Sequence, residues 1–241
     1  MVNLDNNLTK KNDFIEISFT GYANGEIFDS NIKDDLKLLD KKAEPQKTIV
    51  AIGHKMVVKG LDEALAGKEI GKEYEIDLKP KDSFGERRRE LIKTIPLKSF
   101  TENKVNPQPG MVLTLDNSFA KIIAVSGARV VTDFNNPLSG KKIHYKFKII
   151  KIVQDEKEKA EALFTVFFKF IPQYEIKDNI IIKGPKAFEI LVKTFSEKFK
   201  ELLGKSLVLE EVKQKENIEE NSEDEKEGHE HRDHDHSHEH K

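Results

Sequence analysis

The segment FIEISFTGYANGEIFDS, residues 14–30, is the part of the sequence that decides the fold. Apolar and polar residues alternate over residues 14–20, as they do in a strand with one buried face. Asn24 and Gly25 follow, and this dipeptide favours a tight turn because both residues tolerate a positive φ. Residues 26–29 return as a second strand. The sequence therefore predicts an antiparallel hairpin at the base of the fold.

Further strands and one short helix are predicted outward from this hairpin. Residues 31–47 are rich in Lys and Asp and are predicted to form a loop. GLDEALAG, residues 60–67, predicts a short helix, because Leu61, Ala64 and Leu65 share one helical face. Alternating runs predict strands over residues 48–52, 73–78, 91–95, 111–115, 119–125, 129–134 and 143–153.

The pattern changes after residue 155. A helix over 157–170, a strand over 174–182, a helix over 185–203 and a strand over 206–212 are predicted in turn. We interpret this α-β-α-β region, residues 155–215, as a separate small domain. The predicted fold class of the whole chain is α+β.

Composition excludes several classes of protein. The 241 residues contain no Cys, which excludes a disulfide scaffold, a thiol nucleophile and zinc ligation by thiolates. No apolar run is long enough for a membrane span, and the N-terminus has no apolar signal region, so a cytoplasmic protein is expected. The formal net charge of −2 combines a body of +6 with a segment of −8 at residues 216–241. This balance does not favour nucleic-acid binding.

The acidic segment 216–241 carries almost no apolar residues and is predicted to be disordered. It also holds six of the eight histidines of the chain. Imidazole nitrogens are good ligands for nickel and zinc, so we expect Ni or Zn to bind there, although the body requires no cofactor. The expected ligands are His229, His231, His234, His236, His238 and His240.

Three ordered motifs resemble the FKBP-type peptidyl-prolyl cis–trans isomerases. They are FIEISFTGYANGEIFDS at residues 14–30, KMVVKGLDEALAG at residues 55–67 and PKDSFGERR at residues 80–88. The stretch that follows contains DFNNPLSG at residues 133–140, which resembles the insert-in-flap domain of SlyD-type members. The histidine-rich tail is similar to SlyD, and the extra C-terminal region resembles the long-chain archaeal members.

The resemblance implies a domain organisation and a fold. Residues 1–85 and 137–154 are expected to form a discontinuous isomerase domain, an antiparallel half-barrel sheet around the short helix. Residues 86–136 are expected to form a small inserted β domain beside the mouth of the half-barrel. The resemblance also implies an activity, the rotation of X–Pro peptide bonds in unfolded or nascent chains.

The resemblance further assigns residues to the isomerase site. The pocket is expected to be lined by Phe19, Phe28, Asp29, Val57, Val58, Leu61, Phe84 and Tyr145. The Val58 N–H is expected to hold the substrate carbonyl, and Phe28, Leu61 and Tyr145 to surround the proline ring. Phe19 and Phe84 depart from the family, where many members have Tyr. Each missing hydroxyl removes a hydrogen bond of about 1 kcal/mol, which weakens catalysis without abolishing it.

Two other functions stay open from the sequence. The chain could act mainly as a holdase chaperone, with client chains bound by apolar residues of the insert. The expected client-binding residues are Val112, Leu113, Leu115, Ile122, Ile123 and Val125. These side chains could equally form the insert's own core, and about half of them must do so. The second alternative is a nickel or zinc metallochaperone acting through the tail. A homodimer through the C-terminal domain is also expected.

Overall fold

The hairpin that the sequence predicts is the centre of the largest sheet. The structure, a computed structural model, describes residues 7–212. Strand β1 (Phe14–Ala23) and strand β2 (Glu26–Ser30) are antiparallel. Asn24 and Gly25 join them with φ values of 54° and 84°, the left-handed conformation that a tight hairpin turn requires.

The first sheet has five strands. Its order is β2-β1-β9-β4, and β3 pairs with the other half of β1. The added strands are β3 (Thr48–Ala51), β4 (Glu73–Leu78) and β9 (Ile143–Ile152). Helix α2 (Lys59–Ala64) packs on this sheet, because its buried Leu61 joins the same apolar core as Ile15, Ile17 and Ile149. The expected helix over 60–67 is therefore confirmed, with its last three residues in a turn.

The segment predicted to be a loop contains a helix. Residues 33–39 form α1 (Lys33–Leu39), so the prediction of a loop over 31–47 was wrong for these residues. No side chain caps its N-terminus, and none of its residues is buried. It is held by a tertiary hydrogen bond, in which the buried Thr20 hydroxyl donates to Asp35 at 2.5 Å.

Residues 92–133 form a second, smaller sheet of four strands in the order β5-β8-β7-β6. The strands are β5 (Ile92–Pro96), β6 (Val112–Leu115), β7 (Ser118–Ser126) and β8 (Arg129–Asp133), with helix α3 (Leu97–Glu102) after β5. Phe100, Ile122 and Val130 are its buried core. We call residues 92–133 the insert sheet. Helix α3 had no counterpart among the sequence predictions.

The insert sheet is anchored where the chain leaves and rejoins the first sheet. Gly140 donates its N–H to the carbonyl of Gly85 at 2.9 Å. The Ser139 hydroxyl donates to the carbonyl of Phe84 at 3.1 Å. Arg87 and Asp133 form an ion pair at 2.6 Å. These bonds hold the two connecting segments side by side.

The C-terminal unit contains helix α4 (Glu156–Phe167), strand β10 (Gln173–Ile176), strand β11 (Ile180–Gly184), helix α5 (Glu189–Leu203) and strand β12 (Leu207–Glu211). The single strand predicted over 174–182 was wrong, because residues 177–179 turn the chain and make β10 and β11 an antiparallel pair. Strands β11 and β12 are parallel, and α5 connects them. A 3-10 helix, Lys186–Phe188, precedes α5, which therefore begins later than predicted.

The C-terminal unit and the first sheet share a core. Phe164 and Phe199 are fully buried there, together with Phe14, Ala51 and Val153 from the first sheet and its end. Within residues 7–212, no helix is both long and apolar enough to cross a membrane. The acidic segment 216–241 and its six histidines lie outside the described residues.

Candidate active site

A cavity of about 690 Å³ opens beside helix α2 and strands β1, β2 and β9. It brings together seven of the eight side chains that the family resemblance assigns to the pocket. Those seven are Phe19, Asp29, Val57, Val58, Leu61, Phe84 and Tyr145. The lining contains aromatic rings, branched aliphatic side chains and few charges, which is the character of a site for an apolar ring such as proline.

Phe28 is the eighth residue, and it does not line the cavity. Its ring packs edge-on against Phe84 and Tyr145, with ring centroids 5.6 Å and 5.9 Å apart. Gly21 makes this possible, because a Cβ there would lie within 3 Å of both Phe28 and Tyr145. Phe28 therefore supports two of the lining rings, and its expected contact with the proline ring stays a prediction.

Val58 lines the cavity, and its backbone N–H is a hydrogen-bond donor. Val58 precedes α2 with φ −59° and ψ 146°, and its carbonyl accepts bonds from the N–H groups of Leu61 and Asp62, both at 3.0 Å. Its own N–H bonds to no other group in residues 7–212. The geometry therefore leaves this N–H available to a carbonyl oxygen entering the cavity.

Asp62 fixes the segment that leads to Val58. This buried carboxylate of α2 accepts hydrogen bonds from the N–H of Gly53 at 2.8 Å and from the N–H of Lys55 at 2.9 Å. Charged acceptors make hydrogen bonds of this kind strong. The turn 53–55 is thus tied to the helix that follows it, and residues 56–58 run between two fixed points.

The electrostatics of the cavity centre on Asp29 and Tyr145. Asp29 has solvent access at the mouth, yet desolvation by the surrounding protein raises the pKa of its carboxyl, against a lowering by the Ser30 N–H. Desolvation also raises the pKa of the Tyr145 hydroxyl, and the Asp29 charge adds to this. Tyr145 therefore stays protonated and can donate a hydrogen bond.

One wall of the cavity was not predicted from the sequence. Leu36 of α1 and the loop residues Ala43, Glu44 and Gln46 line it, all from the segment predicted to be a simple loop. Asn31 anchors this segment, because its side chain accepts from the Phe19 N–H and donates to the Ile17 carbonyl, both at 2.8 Å. The leucines of KDDLKLL were the only signal in the sequence.

The insert sheet offers a second surface with exposed apolar side chains. Phe119, Val112 and Ile123 are 74%, 60% and 42% exposed. They line a cavity of about 600 Å³ together with Lys121 and residues 135–137 and 139–141. Phe119 was absent from the expected client-binding residues.

The other expected client-binding residues face the opposite way. Ile122 is fully buried, so its assignment to a client surface was wrong. Leu113, Leu115 and Val125 are half-buried and pack against the insert core. The alternation of strand faces explains this for Leu113, Leu115 and Ile122, and a register shift between Ile122 and Ala124 turns Val125 back to the core face.

Comparison with protein families gives two matches. Residues 6–102 match the model of FKBP-type peptidyl-prolyl cis-trans isomerases. Residues 93–138 match the model of the IF domain of FKBP26, and this range contains most of the insert sheet. The two matches overlap over residues 93–102, which hold most of β5 and helix α3 of the insert sheet.

Comparison with individual proteins agrees. A short-type peptidyl-prolyl cis-trans isomerase of Methanocaldococcus jannaschii is 29% identical over 155 residues, which is 63% of this chain and 99% of the relative. The isomerase SlyD of Helicobacter pylori is 27% identical over 167 residues, covering 67% of this chain and 83% of the relative. SlyD of Haemophilus influenzae is 26% identical, and the match spans 61% of its length.

Proposed function

Because the chain belongs to the FKBP-type peptidyl-prolyl cis–trans isomerases, we propose that its cavity accelerates X–Pro bond rotation in unfolded and partly folded protein chains. The observation that carries this proposal is the Val58 N–H, which bonds to no described residue and belongs to a residue that lines the cavity with Leu61, Phe84 and Tyr145.

The residues support a mechanism without a nucleophile. The barrier of about 18–20 kcal/mol comes from amide resonance, which is lost when the bond twists. The twisted amide has less charge separation than the planar one, so a cavity that excludes water favours it relative to bulk solvent. Leu61, Phe84 and Tyr145 supply the apolar contact for the proline ring, and the Val58 N–H holds the carbonyl in place.

Phe19 and Phe84 set the expected strength of this catalysis. Neither ring carries the hydroxyl that many relatives have, so Asp29 lacks a bond from Phe19 and a bound peptide lacks one from Phe84. Each bond is worth about 1 kcal/mol, which corresponds to roughly a fivefold change in rate. We expect a working isomerase that is slower than its relatives with Tyr at these positions.

The test of this function is the rate of X–Pro isomerisation in a short peptide and in a proline-limited refolding reaction. Micromolar wild-type protein should accelerate both, and no acceleration in either would refute the proposal. Phe84→Ala should lower the peptide rate about tenfold or more, because it removes most of one buried apolar wall. Phe119→Ala, a matched change on the insert sheet, should leave the peptide rate unchanged.

We propose as a second function that the outer face of the insert sheet binds unfolded client chains. Phe119, Val112 and Ile123 support it, because exposed apolar side chains on one sheet face suit an extended apolar segment. The test is suppression of the aggregation of an unfolded protein. Phe119→Ala should weaken suppression, and Phe84→Ala should not. Equal suppression by wild type and a triple Val112, Phe119 and Ile123→Ser variant would refute client binding here.

Two further proposals rest on the sequence alone. The tail histidines His229, His231, His234, His236, His238 and His240 are proposed to bind Ni or Zn, as a metallochaperone would. Calorimetry on full-length protein and on a chain truncated at Lys215 tests this, and equal metal uptake would refute it. The proposed homodimer through the C-terminal unit is tested by sedimentation of the full chain.

A further inference from the structure

A buried histidine joins the C-terminal unit to the isomerase domain. His54 is 6% exposed and follows strand β3, in the turn that leads to α2. Its Nε2 lies 2.7 Å from Oδ1 of Asn12. Its Nδ1 lies 2.7 Å from Nζ of Lys198, on helix α5. The ring therefore touches both units, and the proposed mechanism does not use it.

The hydrogen bonds define the state of the ring. A lysine ammonium can only donate, so Nδ1 of His54 must accept from Lys198. Nε2 then carries the single ring proton and donates it to Asn12. The ring is neutral in this arrangement. Lys198 also donates to Glu201 at 2.9 Å, which balances its charge.

The charges around the ring favour the same neutral state of His54 that its hydrogen bonds require. Burial lowers the pKa of His54, and the Lys198 ammonium lowers it further. Glu201 of α5 and Asp62 of α2 oppose the shift, and Lys11 of the N-terminal turn adds to it. The net effect is that the neutral ring is favoured in the folded protein.

The turn that carries His54 is continuous with the cavity wall. Asp62 holds the N–H groups on both sides of His54, those of Gly53 and Lys55. Met56 follows, and it packs against both the C-terminal core and the isomerase core. Met56, Val57 and Val58 all line the cavity. Val58 is four residues after His54, so a displacement of the His54 ring would also displace the Val58 N–H.

We propose that His54 is a positioning residue, whose neutral ring, held between Asn12 and Lys198, lets the C-terminal unit fix the segment that presents the Val58 N–H. This inference rests on the proposed isomerase function. Protonation of Nδ1 turns the acceptor into a donor that faces an ammonium, so the contact with Lys198 is lost. Glu201, with Oε1 at 3.8 Å from Nδ1, then competes for the ring.

The direction of the pH effect follows from the lowered pKa. The neutral ring contributes its stabilisation fully above the ordinary pKa of 6.5. That contribution is lost as the pH falls below 6.5 and through the lower pKa of the folded state. Isomerase activity should therefore decline on acidification, while a neutral substitute for His54 should remove this decline.

The experiment measures kcat/KM for an X–Pro peptide with the full chain from pH 7.5 to pH 4.5. Wild type should lose about threefold or more, and His54→Gln should lose this acid-dependent decline. Lys198→Met should move the midpoint to higher pH, because the ammonium that disfavours protonation is gone. Lys193→Met, an exposed change on the same helix, should leave the midpoint unchanged. The NMR titration of the His54 ring should share the wild-type midpoint.

The outcomes separate this inference from the proposed function. No wild-type activity at pH 7.5 would refute the isomerase itself. Activity with the same acid decline in wild type and His54→Gln would refute the positioning role, and an unmoved midpoint in Lys198→Met would do so if His54→Gln does not fold. A decline that persists in His54→Gln but disappears in Asp29→Asn would assign the titration to Asp29, whose pKa is raised. Thermal unfolding of each variant at each pH identifies any loss caused by unfolding.

Discussion

The isomerase domain and the insert sheet differ in the hydrogen bonding of their buried polar side chains and in the exposure of their apolar side chains. In the isomerase domain, buried Thr9, Thr20 and Asp62 all have hydrogen-bond partners. In the insert sheet, buried Asp133 accepts hydrogen bonds from Arg87 and Asn135, but the buried Thr132 hydroxyl has no partner among residues 7–212. The apolar groups differ as well, because the isomerase cavity is walled by half-buried rings, while Phe119 of the insert sheet is mostly exposed.

These differences fit the two kinds of binding that we propose for the isomerase cavity and for the insert sheet. A site that accelerates bond rotation must hold one donor and a few rings in fixed positions, which saturated hydrogen bonding provides. A surface for many unfolded clients needs accessible apolar area and tolerates a small core. The core of the insert sheet is indeed small, with Phe100, Ile122 and Val130 as its buried members.

The largest expected effect separates the two faces of the insert sheet. Ile122→Ala should lower the free energy of unfolding of the insert by about 2–5 kcal/mol, because it empties part of a small core. Phe119→Ala should change it by no more than about 0.5 kcal/mol, since its ring is mainly in solvent. Hydrogen exchange of the insert amides measures both. Similar losses in the two variants would contradict the assignment of faces.

The next effect concerns the fixed donor of the isomerase cavity. Val58→Pro should lower kcat/KM for a peptide by about 5- to 100-fold, since it deletes the N–H and leaves the substrate carbonyl unsatisfied, at a cost of about 1–3 kcal/mol. The φ of −59° at Val58 suits proline, and the N–H bonds to no described residue, so the fold should tolerate the change.

Val58→Ala is the matched control for this prediction. It shortens the same side chain but keeps the N–H, so it should retain most of the activity. Circular dichroism and thermal unfolding show whether Val58→Pro is folded. Near-wild-type activity in a folded Val58→Pro protein would mean that the substrate carbonyl is held elsewhere.

Local sequence patterns were sufficient for much of the isomerase domain. The alternation over residues 14–20 and the Asn24–Gly25 turn predicted the β1–β2 hairpin, because both signals act within a few residues. Helix α2 and strand β4 were predicted for the same reason. Motif spacing also identified seven cavity-lining residues, although composition alone would have left them as ordinary core residues.

The missed features depend on contacts between distant residues. Helix α1 has no cap of its own, and its bond between Asp35 and Thr20 cannot be read from a local pattern. Phe119 was missed because the register of β7, which sets the outward side, is fixed only by pairing with β6 and β8.

A smaller effect tests the unpaired hydroxyl of the insert sheet. Thr132→Val should raise the free energy of unfolding of the insert by about 1 kcal/mol, because a methyl group replaces a buried hydroxyl that has no partner in residues 7–212. Thr20→Val is the control, and it should be destabilising, because the Thr20 hydroxyl bonds to Asp35 and Ser30. A destabilised Thr132→Val variant would show that the hydroxyl has a partner in solution, such as an ordered water.

The smallest effect concerns substrate choice at the isomerase cavity. Asp29 and Glu44 line it, and no Lys or Arg of residues 7–212 does. A peptide with Lys before proline should therefore react faster than one with Glu, because the acidic lining attracts Lys and repels Glu. The difference should be only about two- to threefold, because interactions between solvent-exposed charges are weak. The preference should shrink at high salt, where such charges are screened. Glu44→Gln should reduce it at low salt, whereas Glu63→Gln, on the exposed side of α2, should not. An unchanged preference in Glu44→Gln would place the selectivity at Asp29 alone, and a preference for Glu would show that the acidic lining does not face the substrate.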